Sequence, residues 1–117
     1  TVANPELALL PYVSANEVNF IAFKLATEEY HNELYERLMQ LKATNNKIKD
    51  FDVSFFQTEK GEPKDSPWMG HLNEVSIHTF IRNQIHHRAD NGKAEYDNLK
   101  SSIEKMRQYL IEINELN

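Results

Sequence analysis

Apolar side chains recur at helical spacing along the first third of the chain. Ser14 and Glu17 have the spacing of a capping box, in which the hydroxyl accepts an N–H and the carboxylate reaches back to the cap. The pattern then predicts one helix of about seven turns that ends at Asn45 and Asn46. Its main apolar stripe consists of Phe20, Phe23, Tyr30, Leu34, Leu38 and Leu41.

A second, shorter apolar stripe covers the first half of this helix. It consists of Val18, Ile21, Ala22 and Leu25. A helix that is apolar on two sides lies at the centre of its bundle or is buried against a partner.

The rest of the chain predicts two more long helices and a weaker middle segment. Ser66 caps the second helix and Pro67 suits its first position, and the helix runs to His87. Its buried side carries Ile77, Ile81 and Ile85. The third helix, from about Glu95 to Glu115, has a heptad-like seam typical of an antiparallel bundle. That seam consists of Leu99, Ile103, Met106, Leu110 and Ile113.

Residues 47–67 give the least definite pattern. Their apolar residues fit a short helix or an extended segment, and 58–67 has the Gly and Pro content of a loop. We therefore predict an all-α fold, a helical bundle with three long helices and one or two short ones. Residues 1–117 form one domain, and because the sequence starts at Thr1 we expect a processed chain or a domain cut from a longer protein.

Composition excludes several functional classes. The absence of cysteine excludes disulfides, thiol nucleophiles and Cys-ligated zinc. No run approaches the roughly 18 uncharged apolar residues of a membrane span, so we expect a cytoplasmic protein without membrane contact. The net charge of −5 argues against a basic nucleic-acid coat, yet residues 1–40 hold most of that deficit while residues 82–107 are mildly basic. This asymmetry suits a local anion site or the docking of two copies, but a solvated face is the simpler explanation.

Four of the five histidines lie in residues 71–87, where candidate chemistry is concentrated. His71, His78, Arg82 and His86 are seven, four and four residues apart, which puts them along one side of the second long helix, and His87 follows. The histidine pairs on that side are two turns apart, about 11–12 Å, which is too far for one metal ion. Arg82 would also repel a cation, so we predict no metal and no other cofactor.

Cleavage of an RNA phosphodiester suits these residues better. Metal-free cleavage requires a base for the 2′-OH proton, an acid for the leaving oxygen and a cation for the charge that builds on phosphorus. Histidine performs either proton transfer near neutral pH, and arginine binds phosphate oxygens through a fork of donors. The alternatives are that Arg82 pairs with an acidic residue of the first helix and that His86 or His87 only complements the helix dipole.

The run Arg82-Asn83-Gln84-Ile85-His86-His87 resembles the R-x4-6-H signature of the HEPN superfamily, with four residues between Arg82 and His87. Asn83 matches the polar residue that often follows the Arg in that family. Residues 81–106 also resemble the C-terminal end of some bacterial defence ATPases. The resemblance implies a metal-independent endoribonuclease of the kind found among toxin–antitoxin and phage-defence proteins, with an active site shared across a homodimer.

Residue roles follow from this resemblance. His87 is the general acid or base, Arg82 holds the scissile phosphate and Asn83 orients the pair. On an ideal helix His87 lies about 140° around from Arg82 and His86 about 40°. Either the helix unwinds before His87, or His87 acts with the partner subunit's Arg82, or His86 is the proton carrier.

Further contacts and partners are expected as well. The candidate substrate-binding residues are Arg88, Lys93 and His78. The expected partners are RNA, with tRNA among the candidates, a second copy of the chain, and an ATPase domain or an antitoxin. The alternative function is a non-catalytic dimerisation or sensing domain attached to an ATPase or a nucleotidyltransferase-type partner. A third possibility is a bundle that binds another protein through Val18, Ile21 and Leu25.

Overall fold

The computed structural model describes residues 8–68, 72–87 and 94–116, and this part of the chain is mostly helical, as the all-α prediction requires. Its α-helices are α1 (Ala15–Phe23), α2 (Glu28–Lys42), α3 (Ile48–Phe51), α4 (Ile77–His86) and α5 (Tyr96–Leu116). A π-helical segment (Asp52–Glu59) continues α3, and two short strands, β1 (Ser66–Pro67) and β2 (Asn73–Val75), pair antiparallel. None of the described helices combines the length and apolar character that crossing a membrane demands.

The first predicted helix is in fact two helices, which corrects the expected set of three long ones. Lys24 adopts a left-handed conformation with φ of 57°, and its N–H donates to the Phe20 carbonyl at 2.8 Å. Thr27 then caps α2, because its Oγ1 accepts from the Tyr30 N–H at 3.1 Å. The apolar spacing continues across the break since both helices bury residues in the same core.

The capping box is confirmed only in part. Ser14 Oγ accepts from the Glu17 N–H at 3.2 Å, as predicted. The Glu17 carboxylate, however, accepts from the N–H groups of Leu9 and Leu10 at 3.0 and 3.3 Å and from the Tyr30 hydroxyl. Glu17 therefore attaches the N-terminal segment to the bundle.

The second predicted helix begins ten residues later than expected. Ser66 and Pro67 form β1 and do not cap a helix. Ser76 occupies the N-cap position of α4, but its hydroxyl donates to Asp52 Oδ1 at 2.6 Å. Asp52 also accepts from the Ser76 N–H at 3.1 Å, so a carboxylate from another element holds the start of α4.

The core lies mainly between α2 and α5. The predicted seam of α5 is confirmed, because Leu99, Ile103, Met106, Leu110 and Ile113 are all buried. Within the segment 47–67, residues 48–59 are helical rather than extended and contribute buried aromatic rings, residues 60–65 have no regular secondary structure, and Ser66–Pro67 is β1. These rings belong to Phe51, Phe55 and Phe56. The rings of Phe51 and Phe56 contact the ring of Tyr35, and the ring of Phe55 stacks on that of Phe51.

Candidate active site at the end of helix α4

Helix α4 ends at His86, so His87 lies outside the helix. The His87 backbone has φ of −128° and ψ of 51°, and its N–H donates to the Asn83 carbonyl at 2.8 Å. The side chains of His86 and His87 are both exposed. Because the helix unwinds there, His87 is freed from the 140° separation from Arg82 that an ideal helix imposes.

Arg82 is half-buried and is oriented by the residue next to it. Its Nη1 donates to Asn83 Oδ1 at 3.0 Å. Asn83 is only 4% exposed, and its Nδ2 is buried without a partner among the described residues. Arg82 forms no ion pair with a carboxylate in the described ranges, so the expected pairing with an acidic residue of the first helix is not observed there.

A hollow of about 160 Å³ lies between α2 and α4 beside these residues, and we call it the α2–α4 hollow. It is lined by Asn32, Tyr35, Glu36, Met39, Ile48, Arg82 and His86. Partial burial, with the charges of Arg82 and His87, lowers the pKa of His86, and Glu36 opposes this shift. His86 is therefore more readily neutral, the form that accepts a proton, than an ordinary histidine.

An acidic groove of about 480 Å³ adjoins this hollow along α2. Its lining consists of Glu28, Glu29, Asn32, Glu33, Glu36 and Ile85. The carboxylates of this groove repel phosphate groups, whereas Arg82 on α4 attracts them. The α4 side of the boundary between the two helices is therefore more favourable for an anion than the α2 side.

His78 is not at the surface, which corrects its assignment as a substrate-binding residue. Its side chain has no exposed area, because the N-terminal half of α4 faces the core. Its Nε2 lies 2.7 Å from Glu62 Oε2 and its Nδ1 lies 2.6 Å from Ser102 Oγ. His31 Nε2 contacts the same Ser102 oxygen at 2.7 Å. The polar side predicted for α4 is thus solvent-facing only toward the helix end.

This buried cluster resembles a catalytic triad in order but not in setting. Glu62, His78 and Ser102 follow the carboxylate–imidazole–hydroxyl sequence of hydrolases. Yet Ser102 is 1% exposed and lies between two imidazole rings, and none of the described hollows is lined by it. We therefore assign the cluster a structural role.

The electrostatics of the cluster agree with that role. Burial raises the pKa of Glu62, but hydrogen bonds from His78 and Tyr109 outweigh it and lower the pKa to about 2. Burial, with the nearby charge of His78, lowers the pKa of His31 to about 3. At neutral pH Glu62 is thus ionised and His31 is neutral.

The buried carboxylates Asp52 and Glu62 are missing from the site predicted from the sequence. Both lie in the segment with the weakest apolar pattern, and apart from Gln57 the groups that hydrogen-bond to them lie more than ten residues away, so no local spacing indicates them. Glu17 was identified only as a cap residue. The predicted substrate-binding residues Arg88 and Lys93, and His71, lie outside the described residues.

Comparison with known proteins adds no assignment: no family model, curated protein or solved structure matches the chain.

Proposed function

We propose that this chain is a metal-independent endoribonuclease that cleaves RNA by attack of the 2′-OH on the adjacent phosphorus. The observation that carries the proposal is the open end of α4. There Arg82, oriented by Asn83, lies one helical turn from His86, and His87 follows where the helix stops. The likeness of this run to the HEPN signature supports the same reaction.

The proposed mechanism uses these side chains in separate roles. Arg82 binds the non-bridging oxygens of the scissile phosphate and stabilises the charge that develops there. One histidine removes the 2′-OH proton, and another gives a proton to the departing 5′ oxygen. His86, with its lowered pKa, suits the base, and His87 suits the acid. The products are a 2′,3′-cyclic phosphate and a free 5′-OH.

A homodimer extends this mechanism. Each chain carries one Arg82 with its two histidines, and a two-fold axis near the end of α4 would place two such sets around one phosphate. RNA, with tRNA as a first substrate to test, is the expected partner in the cytoplasm. An antitoxin or an ATPase domain would regulate the site.

The decisive experiment is RNA cleavage in EDTA. Purified parent chain, Arg82→Ala and His87→Ala are incubated with tRNA, and the new ends are identified by mass spectrometry. We expect cleavage by the parent with cyclic phosphate ends. Each variant should lose at least about 100-fold, because His87→Ala removes a proton carrier and Arg82→Ala removes the cation that stabilises the developing charge. Arg37→Ala is the matched control, because Arg37 lies in a different hollow, beside Leu10 and Tyr12.

The outcomes separate clearly. A folded parent that leaves tRNA intact, or variants that cleave as fast as the parent, would contradict the proposal. Light scattering tests the dimer: a strict monomer that still cleaves would show that one chain is sufficient and would remove the shared site.

A second candidate function has its own observation. Exposed apolar side chains concentrate in residues 12–25, contrary to the prediction that Phe23 is buried. They are Tyr12, Val13, Val18, Phe23 and Leu25. Such a surface suits a docking module for an ATPase or nucleotidyltransferase-type partner. If Phe23→Asp abolishes association with the partner and Arg82→Ala has no effect in any assay, this function replaces the first.

A further inference from the structure

We propose that the α2–α4 hollow binds a guanine base next to the scissile phosphate, with Glu36 accepting hydrogen bonds from its Watson–Crick edge. The inference rests on the proposed function, because it assigns the base specificity of the same site. It gives the hollow a ligand, whereas the mechanism above uses only the α4 side.

The two helices give the hollow two chemically different walls. Asn32, Tyr35, Glu36 and Met39 are spaced by three, one and three residues, so they share one face of α2. Arg82 and His86, four apart, form the opposite wall on α4. A nucleotide that places its phosphate on Arg82 therefore directs its base toward α2.

The size and lining of the hollow suit one planar base. Its volume of about 160 Å³ corresponds to roughly five water molecules at liquid density, which is too small for a whole nucleoside. Tyr35, Met39 and Ile48 contribute apolar surface to the walls. Such surface packs against the faces of a base, as aromatic and thioether side chains commonly do.

The hydrogen-bonding groups select guanine. Glu36 is exposed at the edge of the hollow, and its ionised carboxylate only accepts hydrogen bonds. Guanine presents two adjacent donors, N1–H and the N2 amino group, which match the two carboxylate oxygens. Adenine, cytosine and uracil each offer one donor group on that edge. The negative charge of Glu36 also disfavours a phosphate in this position, so the base takes it.

The test measures cleavage of short RNAs that are identical except for one base at the cleaved step. We expect the parent to prefer guanosine over inosine, which lacks only the N2 amino group, by about tenfold, the value of one hydrogen bond to a charged acceptor. Glu36→Gln should reduce this ratio to near one, since the amide places a donor against the donors of guanine. Glu29→Gln is the matched control: it removes the same charge from the same helix, in the acidic groove but outside the hollow.

The ratio separates base recognition from effects on the proton carrier. Loss of Glu36 also changes the environment of His86, but that change alters the pH profile equally for all bases. A parent without guanosine preference, or a Glu36→Gln variant that keeps it, overturns the inference while leaving the nuclease intact. If the parent cleaves no RNA, the proposed function fails. Calorimetry then tests base recognition by the hollow separately, by comparing the affinities of the parent for 5′-GMP, 5′-IMP and 5′-AMP. Equal or absent binding of the three nucleotides would overturn it.

Discussion

The two ends of helix α4 place histidine in opposite settings. At the N-terminal end, Ser76, His78 and Thr79 are fully buried, and their polar atoms contact the carboxylates of Asp52 and Glu62. At the C-terminal end, Arg82 is half-buried and His86 and His87 are exposed. Burial therefore distinguishes the histidines of this helix: the ring of His78 is enclosed by the core, whereas the rings of His86 and His87 are accessible from solvent.

The buried carboxylates and the carboxylates of the acidic groove have different surroundings. In the part of the chain that the structure describes, three carboxylates are buried, and each accepts several hydrogen bonds, as the cost of burying an ion demands. These carboxylates belong to Glu17, Asp52 and Glu62. Along α2, the acidic groove leaves carboxylates gathered at the surface. The first arrangement stabilises the fold, and the second makes the surface of α2 unfavourable for anions.

The largest effect is expected at the buried start of α4. Asp52→Ala leaves the Ser76 N–H, two hydroxyls and the Gln57 amide without their shared acceptor. We expect the free energy of unfolding in urea to fall by about 4 kcal/mol, because each buried bond to a charged acceptor is worth 1.5–3 kcal/mol and the losses overlap. Asp50→Ala, at an exposed position close by, should change it by less than about 0.5 kcal/mol. Equal effects of the two variants would contradict the capping role of Asp52.

The next effect concerns the buried histidine of α4. His78→Leu leaves Glu62 and Ser102 without their bonds to the imidazole. We expect a loss of about 3 kcal/mol of unfolding free energy, since a buried carboxylate loses one of its three donors and a buried hydroxyl loses its imidazole partner. RNA cleavage, measured where the variant is still folded, should persist. If a folded His78→Leu chain no longer cleaves RNA, His78 takes part in the reaction and its purely structural assignment is wrong.

A smaller effect is expected from pH. The pKa of His31 is about 3 in the folded chain and 6.5 in the unfolded one. As pH falls below 6.5, His31 is protonated in the unfolded chain but stays neutral in the folded chain. The free energy of unfolding therefore declines. Urea unfolding should lose about 2 kcal/mol between pH 7 and pH 5. His31→Gln should flatten this decline, whereas an unchanged slope would show that His31 is not its source. Below pH 4.5, protonation of Glu62 adds a second loss in the same direction.

The smallest effect on stability is expected at the open end of α4. Arg82→Ala should lower the unfolding free energy by about 1 kcal/mol, because it removes one described hydrogen bond, to Asn83, at a half-buried position. The same variant should lose RNA cleavage. A large destabilisation by Arg82→Ala would show that both ends of α4 stabilise the fold, and that Arg82 has a structural role.

Elements with a local signal could be predicted from the sequence. The seam of α5 repeats every three or four residues, and Ser14 has its amide partner three residues away, so both predictions hold. The break at Lys24 could not be predicted from apolar spacing, which continues across it, although Thr27 followed by two glutamates fits a helix start. Rings of the segment 48–59 pack on Tyr35, which lies more than ten residues away, and the β1–β2 pair is too short for an alternating pattern, so no local pattern indicates either element.

The candidate site divides in the same way. The amino-acid sequence alone is sufficient to predict a mostly helical chain, the seam of the last helix, and an Arg82–His87 pair near the end of a helix. These features can be predicted because helical periodicity and residue spacing are local properties. Only the tertiary structure decided that His78 is buried on Glu62 while His86 and His87 reach the surface, and that Glu36 lies across a hollow from Arg82. The reason is physical: burial and charge pairing depend on which segments meet, and these partners come from different helices and loops.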